Sequence, residues 1–257
     1  MHKDKIFAKK TTTINPFEFN DEVAKVFTDM LHRSIPGYPL TIQTIKSLTK
    51  KFIQPNSNCY DLGCSLGEAA FAIEEGITVE GCKIIAIDKS SSMTKKCQKK
   101  LNNKTVSTPI TIVNDDIINL NISNASIVVM NYTLQFIDID LRQTILNKIY
   151  NGLKPGGLFI TSCPSTNYDA DQIIKESCDL IRIKKGFWNA MLKRLFIYPL
   201  TKRLGLSFIQ HQLESGKWMA YTLEDLAREL RQVGFEVGAS QTVYASSAYL
   251  ICGHKIR

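Results

Sequence analysis

The stretch Tyr60-Asp-Leu-Gly-Cys-Ser-Leu-Gly67 places two glycines four positions apart, behind an acid and after a run of strand-like residues. Glycine at such a turn lets the backbone come close to a ligand, and a helix that begins near Gly67 offers free N–H groups. A nucleotide-binding turn and a plain tight turn both fit these residues. The segments that follow decide between them.

Acidic or amide residues end the three strand-like segments after this turn. Asp88 ends the second strand, Asp115 and Asp116 end the third, and Asn131 ends the fourth. An acid after the second strand can accept hydrogen bonds from both ribose hydroxyls of a nucleoside, and an acid after the third can bind an adenine amino group. Asp88 lies 25 positions after Gly63, close to the roughly 20 expected between such a turn and its ribose acid. The joint pattern favours a nucleoside site.

The turn itself narrows the class of ligand. It reads Gly-Cys-Ser-Leu-Gly and lacks the GxGxxG fingerprint of pyrophosphate binding. A nucleoside without pyrophosphate therefore fits better than NAD. No cluster of His, Asp and Glu shows metal-ligand spacing, so no metal site is expected.

Hydrophobic patterning predicts an α/β fold, a mostly parallel, doubly wound sheet with an antiparallel hairpin at its C-terminal end. Near-continuous apolar runs such as Ile84–Ile87 are typical of parallel strands buried on both faces. Asn20 or Asp21 is expected to cap the first helix, and Gly76 is expected to close the third. The predicted helices lie at 17–33, 41–53, 66–76, 91–104, 139–153 and 222–235, and the predicted strands at 58–64, 82–90, 109–116, 125–134, 156–163 and within 236–255.

Composition limits the possible partners and the cellular location of the protein. The chain has 257 residues, is 44% hydrophobic and carries a net charge of +8, which permits nucleic acid, acidic membranes or anionic ligands as partners. No apolar run reaches the about 18 residues of a membrane span, and the basic N-terminus lacks the apolar core of a secretory signal. The seven cysteines form no CxxC pair, so we expect reduced thiols and a cytoplasmic location.

Several segments resemble known enzymes. "YDLGCSLG" at 60–67 and "NGLKPGGLFI" at 151–160 resemble the class I S-adenosylmethionine-dependent methyltransferases. The segments at 17–38, 124–136 and 146–157 are similar to one subfamily, the carboxy-S-adenosylmethionine synthases. That subfamily converts S-adenosylmethionine and prephenate into carboxy-S-adenosylmethionine for the modification of the tRNA wobble uridine. The resemblance implies a Rossmann-like fold and S-adenosylmethionine, S-adenosylhomocysteine or carboxy-S-adenosylmethionine as ligand.

The resemblance also implies a set of cofactor contacts and a plan for the chain. Lys89 departs from the asparagine that is usual in the synthases. The implied contacts are Tyr38, Gly63, Cys64, Ser65, Asp88, Lys89, Asp116, Ile117 and Asn131. The expected plan is a single domain over 1–257, with an N-terminal helical cap at 1–54, a cofactor-binding core at 55–164, an acceptor-lid insertion at 165–220 and a closing helix and strands at 221–257.

The resemblance to the synthases ends near residue 160. The next turn reads Thr161-Ser-Cys-Pro-Ser165, and Arg182, Arg194 and Arg203 do not sit in a motif that matches the carboxylate-binding arginine of the synthases. We therefore favour a methyltransferase that acts on an unidentified, small-molecule acceptor. The alternatives are a divergent carboxy-S-adenosylmethionine synthase and a non-catalytic binding protein. The synthase resemblance suggests a homodimer.

The acceptor side offers few chemical groups. Methyl transfer from a sulfonium depends mostly on positioning, and a base is needed only if the acceptor must lose a proton. Tyr38, Tyr132 and His211 are the candidates for that role. Segment 181–205 holds seven basic and no acidic residues interleaved with aromatic ones, which predicts a lid helix that selects an anionic or apolar acceptor. A solvated helix and attachment to an acidic membrane or RNA remain alternatives.

Overall fold

A computed structural model describes residues 19–35, 37–165, 222–238, 241–243 and 248–256. In this part of the chain an eight-stranded sheet has the order β3-β2-β1-β4-β5-β8-β6, with β7 also paired to β8. The strands are β1 Asn58–Leu62, β2 Lys83–Ile87, β3 Ile110–Val113, β4 Ala125–Asn131, β5 Leu153–Pro164, β6 Glu236–Val237, β7 Gln241–Val243 and β8 Ala248–His254. The helices are α1 Asp21–Ser34, α2 Tyr38–Phe52, α3 Glu68–Gly76, α4 Ser91–Asn102, α5 Ile139–Gly152 and α6 Leu223–Val233.

Strands β1 to β5 are parallel, as the apolar runs predict. β1 pairs with β2 on one side and with β4 on the other, and β5 pairs antiparallel with β8. All five residues of β1 are buried, because helices cover both faces of the sheet centre. The predicted α/β fold with an antiparallel C-terminal end is therefore confirmed.

Helix α1 starts at its predicted cap and packs against the turn that follows β1. The Asn20 side chain accepts hydrogen bonds from the backbone N–H groups of Glu22 and Val23, both at 3.1 Å. This contact satisfies two donors that the first turn of a helix would otherwise leave free. Val23 and Phe27 of α1 then pack against Leu66 of the turn that follows β1.

Several predicted element ends are wrong: β2 ends at Ile87 and β3 at Val113, before the predicted residues 90 and 116. Two further expectations fail for a clear physical reason. Gly76 does not cap α3, because it is the last helical residue and Ile77 follows as the cap. A Cβ on Gly76 would lie 2.6 Å from the Lys46 carbonyl oxygen of α2, so this glycine permits close packing of two helices. Strand β4 ends at Asn131 instead of continuing to residue 134, because Tyr132 has φ +55° in the left-handed region.

Part of the sequence-based prediction lies outside the described residues. This applies to the lid segment 181–205, to most of the predicted insertion at 165–220 and to His211. Among the helices that the structure describes, none combines the length and apolar character needed to cross a membrane.

Candidate functional site

The turn after β1 lies at the switch point of the sheet. β1 stands between β2 and β4, and the crevice at the carboxyl ends of such strands is where open α/β sheets bind ligands. The backbone N–H groups of Gly63 and Cys64 donate to the Ile87 carbonyl oxygen at 2.8 and 2.9 Å. The turn is therefore fixed to the last residue of β2.

Both glycines of the turn are required by geometry. Gly63 and Gly67 have φ of +81° and +82°, in the region that favours glycine. A Cβ on Gly63 would lie 2.4 Å from Cγ2 of Thr133, and one on Gly67 would lie 2.6 Å from Sγ of Cys97. The turn thus packs tightly against the loop after β4 and against α4. This packing holds its backbone in one conformation.

Asp88 follows β2 directly and contacts the turn. Its Oδ2 accepts a hydrogen bond from the Ser65 N–H at 2.9 Å, and its Oδ1 accepts one from the Ser90 N–H at 2.8 Å. Burial raises the pKa of Asp88, although these two N–H groups lower it. Each carboxylate oxygen can accept a further hydrogen bond, so the group is held in place and can still bind two hydroxyls.

The loop after β3 lies at the same carboxyl edge of the sheet as Asp88. Asp116 caps a short 3-10 helix, Ile117–Asn119, and its Oδ1 accepts from the Ile118 N–H at 3.1 Å. The Asp116 side chain is exposed, whereas Ile117 is buried. Asn114, which the sequence did not single out, donates from Nδ2 to the Asp88 carbonyl oxygen at 2.9 Å. It therefore joins the ends of β2 and β3. Lys89 has an exposed side chain.

Asn131, the last residue of β4, is positioned by β5. The Ser162 hydroxyl donates to the Asn131 Oδ1, and the Tyr132 N–H donates to the Ser162 carbonyl oxygen at 3.0 Å. Ser162 was not predicted from the sequence, since only the pairing of β4 with β5 brings it beside Asn131. Asn131 thus presents an oriented amide at the carboxyl edge of the sheet.

Tyr38 and Tyr132 lie side by side, with Tyr38 near Glu68, the first residue of α3. Their ring centroids are 6.2 Å apart. Burial raises the pKa of both phenols, and the carboxylates of Glu68 and Asp61 raise that of Tyr38 further. A raised pKa keeps both hydroxyls protonated near neutral pH. They are therefore suited to donate hydrogen bonds, and this disfavours the predicted role of either tyrosine as a base.

Two acids of this region were missed as candidates. Asp61, in β1, is 1% exposed and accepts a hydrogen bond from the Ala70 N–H of α3 at 2.8 Å. Burial raises its pKa to about 7. Glu68 begins α3, and its Oε2 lies 3.4 Å from Nε2 of His32. The position of Asp61 two residues before Gly63 was the signal in the sequence that could have identified it.

Over the described ranges, no group of three or more His, Cys, Asp or Glu residues could hold a metal ion. His211, the third candidate base, lies outside the described residues. The other predicted contacts, from Tyr38 to Asn131, lie on the loops and helix starts at the carboxyl edge of β1 to β4.

Comparisons with known proteins identify the fold. Residues 60–157 match the family model described as a methyltransferase domain. A solved S-adenosylmethionine-dependent methyltransferase from Clostridium acetobutylicum aligns with a TM-score of 0.56 at 14% identity, covering 89% of this chain and 96% of that one. Magnesium protoporphyrin IX methyltransferase from Synechocystis aligns with a TM-score of 0.57 at 11% identity, covering 97% and 91%. The chain has the class I S-adenosylmethionine-dependent methyltransferase fold.

By sequence, part of the chain is similar to one subfamily of proteins, the carboxy-S-adenosyl-L-methionine synthases. Carboxy-S-adenosyl-L-methionine synthase from Vibrio parahaemolyticus is 48% identical over 159 residues, 62% of this chain and 65% of the relative. The synthase from Yersinia enterocolitica is 44% identical over 160 residues, 62% of this chain and 60% of the relative. The match spans 60 to 65% of the length of these relatives. The predicted resemblance to the synthases over part of the chain is confirmed.

Proposed function

We propose that the protein is an S-adenosylmethionine-dependent methyltransferase that acts on a small-molecule acceptor. The observation that carries the proposal is the Asp88 carboxylate. Backbone N–H groups of Ser65 and Ser90 hold it at the switch point, beside a glycine turn that lacks a phosphate fingerprint. A nucleoside without a pyrophosphate fits this arrangement better than a dinucleotide.

In this proposal each loop binds one part of the cofactor. Asp88 accepts hydrogen bonds from the ribose hydroxyls, and Asp116 with the Ile117 backbone binds the adenine edge. The turn at Gly63–Ser65 and the amide of Asn131 hold the methionine end, and Tyr38 is a hydrogen-bond donor nearby. These residues bind at the carboxyl ends of four neighbouring strands.

The chemical step requires little from the protein beyond orientation. S-adenosylmethionine, when bound, supplies a methyl group on a sulfonium, which is an activated leaving group. The protein holds the acceptor lone pair in line with the methyl carbon; the new bond forms as the carbon–sulfur bond breaks. An acceptor that starts protonated loses its proton to water or to a side chain. The raised pKa values of Tyr38 and Tyr132 disfavour these two for that role.

The second candidate function is that of a carboxy-S-adenosylmethionine synthase. The 44 to 48% identity to proteins of that name supports it. Against it, the sequence offers no arginine in a motif that matches the carboxylate-binding one of the synthases, and a carboxylate is bound best by a positioned guanidinium. The candidates Arg182, Arg194 and Arg203 lie outside the described residues.

The mass of the ligand that copurifies with the protein tests both functions. Native mass spectrometry followed by denaturing extraction should yield S-adenosylmethionine or S-adenosylhomocysteine. Carboxy-S-adenosylmethionine would favour the synthase function instead. Calorimetry with added S-adenosylhomocysteine completes the test, and a protein without bound nucleoside that shows no heat of binding would contradict both enzymatic proposals.

The finer parts of the proposal rest on the sequence. Recognition of the acceptor by residues 165–220, with an anionic or apolar acceptor at 181–205, remains a prediction. The division at residues 54, 164 and 220, a homodimeric assembly and a cytoplasmic location are predictions of the same kind. The six cysteines in the described ranges are free and buried, which supports the expectation of reduced thiols.

A further inference from the structure

Phe19 bridges two loops on opposite sides of the candidate nucleoside site. On one side Ser90, which follows β2, donates from Oγ to the Phe19 carbonyl oxygen at 2.6 Å. On the other side the Phe136 ring, beyond β4, meets the Phe19 ring edge to face, with centroids 5.5 Å apart. β1 lies between β2 and β4. A residue that contacts both loops therefore crosses the carboxyl end of β1, where the Gly63–Gly67 turn lies.

Helix α1 anchors this bridge above the turn. Val23 and Phe27 of α1 form one apolar cluster with Leu66 of the turn and Met93 of α4. Phe19 packs against that cluster, and its ring centroid lies 5.8 Å from that of Phe27. The bridge and the turn are thus joined on the same side of the sheet, so movement of either one disturbs a shared set of contacts.

Ser90 connects the bridge to the proposed ribose acid. Its N–H donates to Oδ1 of Asp88 at 2.8 Å, while its hydroxyl donates to the Phe19 carbonyl oxygen and accepts from the Met93 N–H at 3.3 Å. Ser90 therefore contacts both the Asp88 carboxylate and Phe19.

We propose that Phe19 and Ser90 form a clasp that closes the nucleoside pocket and sets how long an S-adenosyl ligand stays bound. This inference rests on the proposed function and assigns residues that act on ligand retention, not on the chemical step. The Ser90 hydrogen bond and the Phe136 ring contact join Phe19 to the two loops. Neither contact belongs to the strand pairing of the sheet, so the clasp can open without unfolding the sheet, and the ligand enters when it is open. Phe19 is a positioning residue in this scheme.

The test is the dissociation rate constant of S-adenosylhomocysteine, measured by stopped-flow competition. Phe19→Ala should raise this rate about tenfold, because a clasp without its ring contact no longer slows the exit of the ligand. Ser90→Ala should shift it in the same direction. Ser90→Thr keeps a hydroxyl for both of its contacts and should stay close to wild type.

A matched control separates retention from stability. Ile149→Val removes a buried methyl group from α5, in a different apolar cluster, and leaves the Ser90 hydrogen bond and the Phe136 contact in place. Its melting temperature should fall while the dissociation rate stays near that of wild type. If Phe19→Ala does not fold, Phe19→Leu provides the same measurement. An unchanged dissociation rate in a folded Phe19 variant would overturn the clasp alone, whereas a wild-type protein that binds no S-adenosylhomocysteine would overturn the proposed function.

Discussion

Asp88 is the residue on which the proposed cofactor site depends most directly. Asp88→Ala should weaken S-adenosylhomocysteine binding by about 1–3 kcal/mol, because the ribose hydroxyls lose charge-assisted hydrogen bonds. Isothermal titration calorimetry measures this loss. Asp138→Ala is the matched control: Asp138 is an exposed acid that precedes α5 and makes no capping hydrogen bond. Equal affinities in wild type and Asp88→Ala would contradict the assignment of Asp88.

Asp61 should make the stability of the protein depend on pH. Burial raises its pKa from 3.8 to about 7, so the folded state holds this proton more tightly than the unfolded state does. The stabilisation is complete below about pH 4 and is lost as the pH rises through about 7. Asp61→Asn does not titrate and can still accept from the Ala70 N–H. Relative to this variant, wild type should lose up to about 4 kcal/mol between pH 4 and pH 8.

Urea unfolding of wild type and Asp61→Asn at several pH values checks this prediction. All other titrating groups are shared by the two proteins, so the difference between the two curves reports Asp61. Parallel curves from pH 4 to pH 8 would show that the folded-state pKa of Asp61 is close to its ordinary value.

The site residues differ in how well the sequence alone could identify them. Gly63 and Asp88 stood at a recognisable spacing, and the structure joins them through the Ser65 contact. Ser90, Asn114 and Ser162 gave no such signal, because each acts through a hydrogen bond to a residue from another part of the chain or to a backbone atom. Such contacts exist only once the strands are in register.

At the scale of elements, the packing of α2 on α3 depends on Gly76. Alanine is a better helix former than glycine by about 1 kcal/mol, so propensity alone would favour Gly76→Ala. A Cβ there would lie 2.6 Å from the Lys46 carbonyl oxygen and 2.8 Å from the Thr49 Cβ. Backbone cannot yield as a flexible side chain can, and we expect Gly76→Ala to lower the free energy of unfolding by about 1–3 kcal/mol.

A control on the same helix pair makes that result specific. Gln43 is exposed on α2, so Gln43→Ala improves helix propensity without adding a contact. It should leave the urea midpoint unchanged or slightly raised, whereas Gly76→Ala should lower it. A stabilised Gly76→Ala would show that α2 can move away from α3 at little cost.

Element existence was easier to predict than element ends. The apolar run at Ile84–Ile87 and the amphipathic pattern after Asn20 are local, so both were identified. The end of α3 at residue 76 was identified as well, but the role of Gly76 was not, since this glycine permits the close approach of α2 and does not cap α3. The end of β4 was missed, because Tyr132 has φ +55° where the chain packs on the turn after β1. Tertiary contacts account for both differences.

For the whole molecule, the two halves of the chain carry different information. The first 160 residues or so share 44 to 48% identity with the named synthases and contain the described site. We infer that acceptor selection depends on residues after the turn at Thr161–Ser165, where the resemblance ends. Under the proposed function the first half is compatible with methyl transfer or with carboxy-S-adenosylmethionine formation, and we expect the second half to determine which.

Incubation with S-adenosylmethionine and prephenate distinguishes these two outcomes. We expect at least roughly 100-fold less carboxy-S-adenosylmethionine than from the Vibrio parahaemolyticus synthase under the same conditions, because loss of one partner of a buried, hydrogen-bonded charge pair costs about 2–5 kcal/mol. Mass spectrometry detects the product together with phenylpyruvate. Both proteins should be shown to bind S-adenosylhomocysteine first, so that a failed cofactor site cannot account for the difference. Product at the level of the synthase would establish that a guanidinium of the second half occupies the carboxylate position, and would make the synthase the function of this chain.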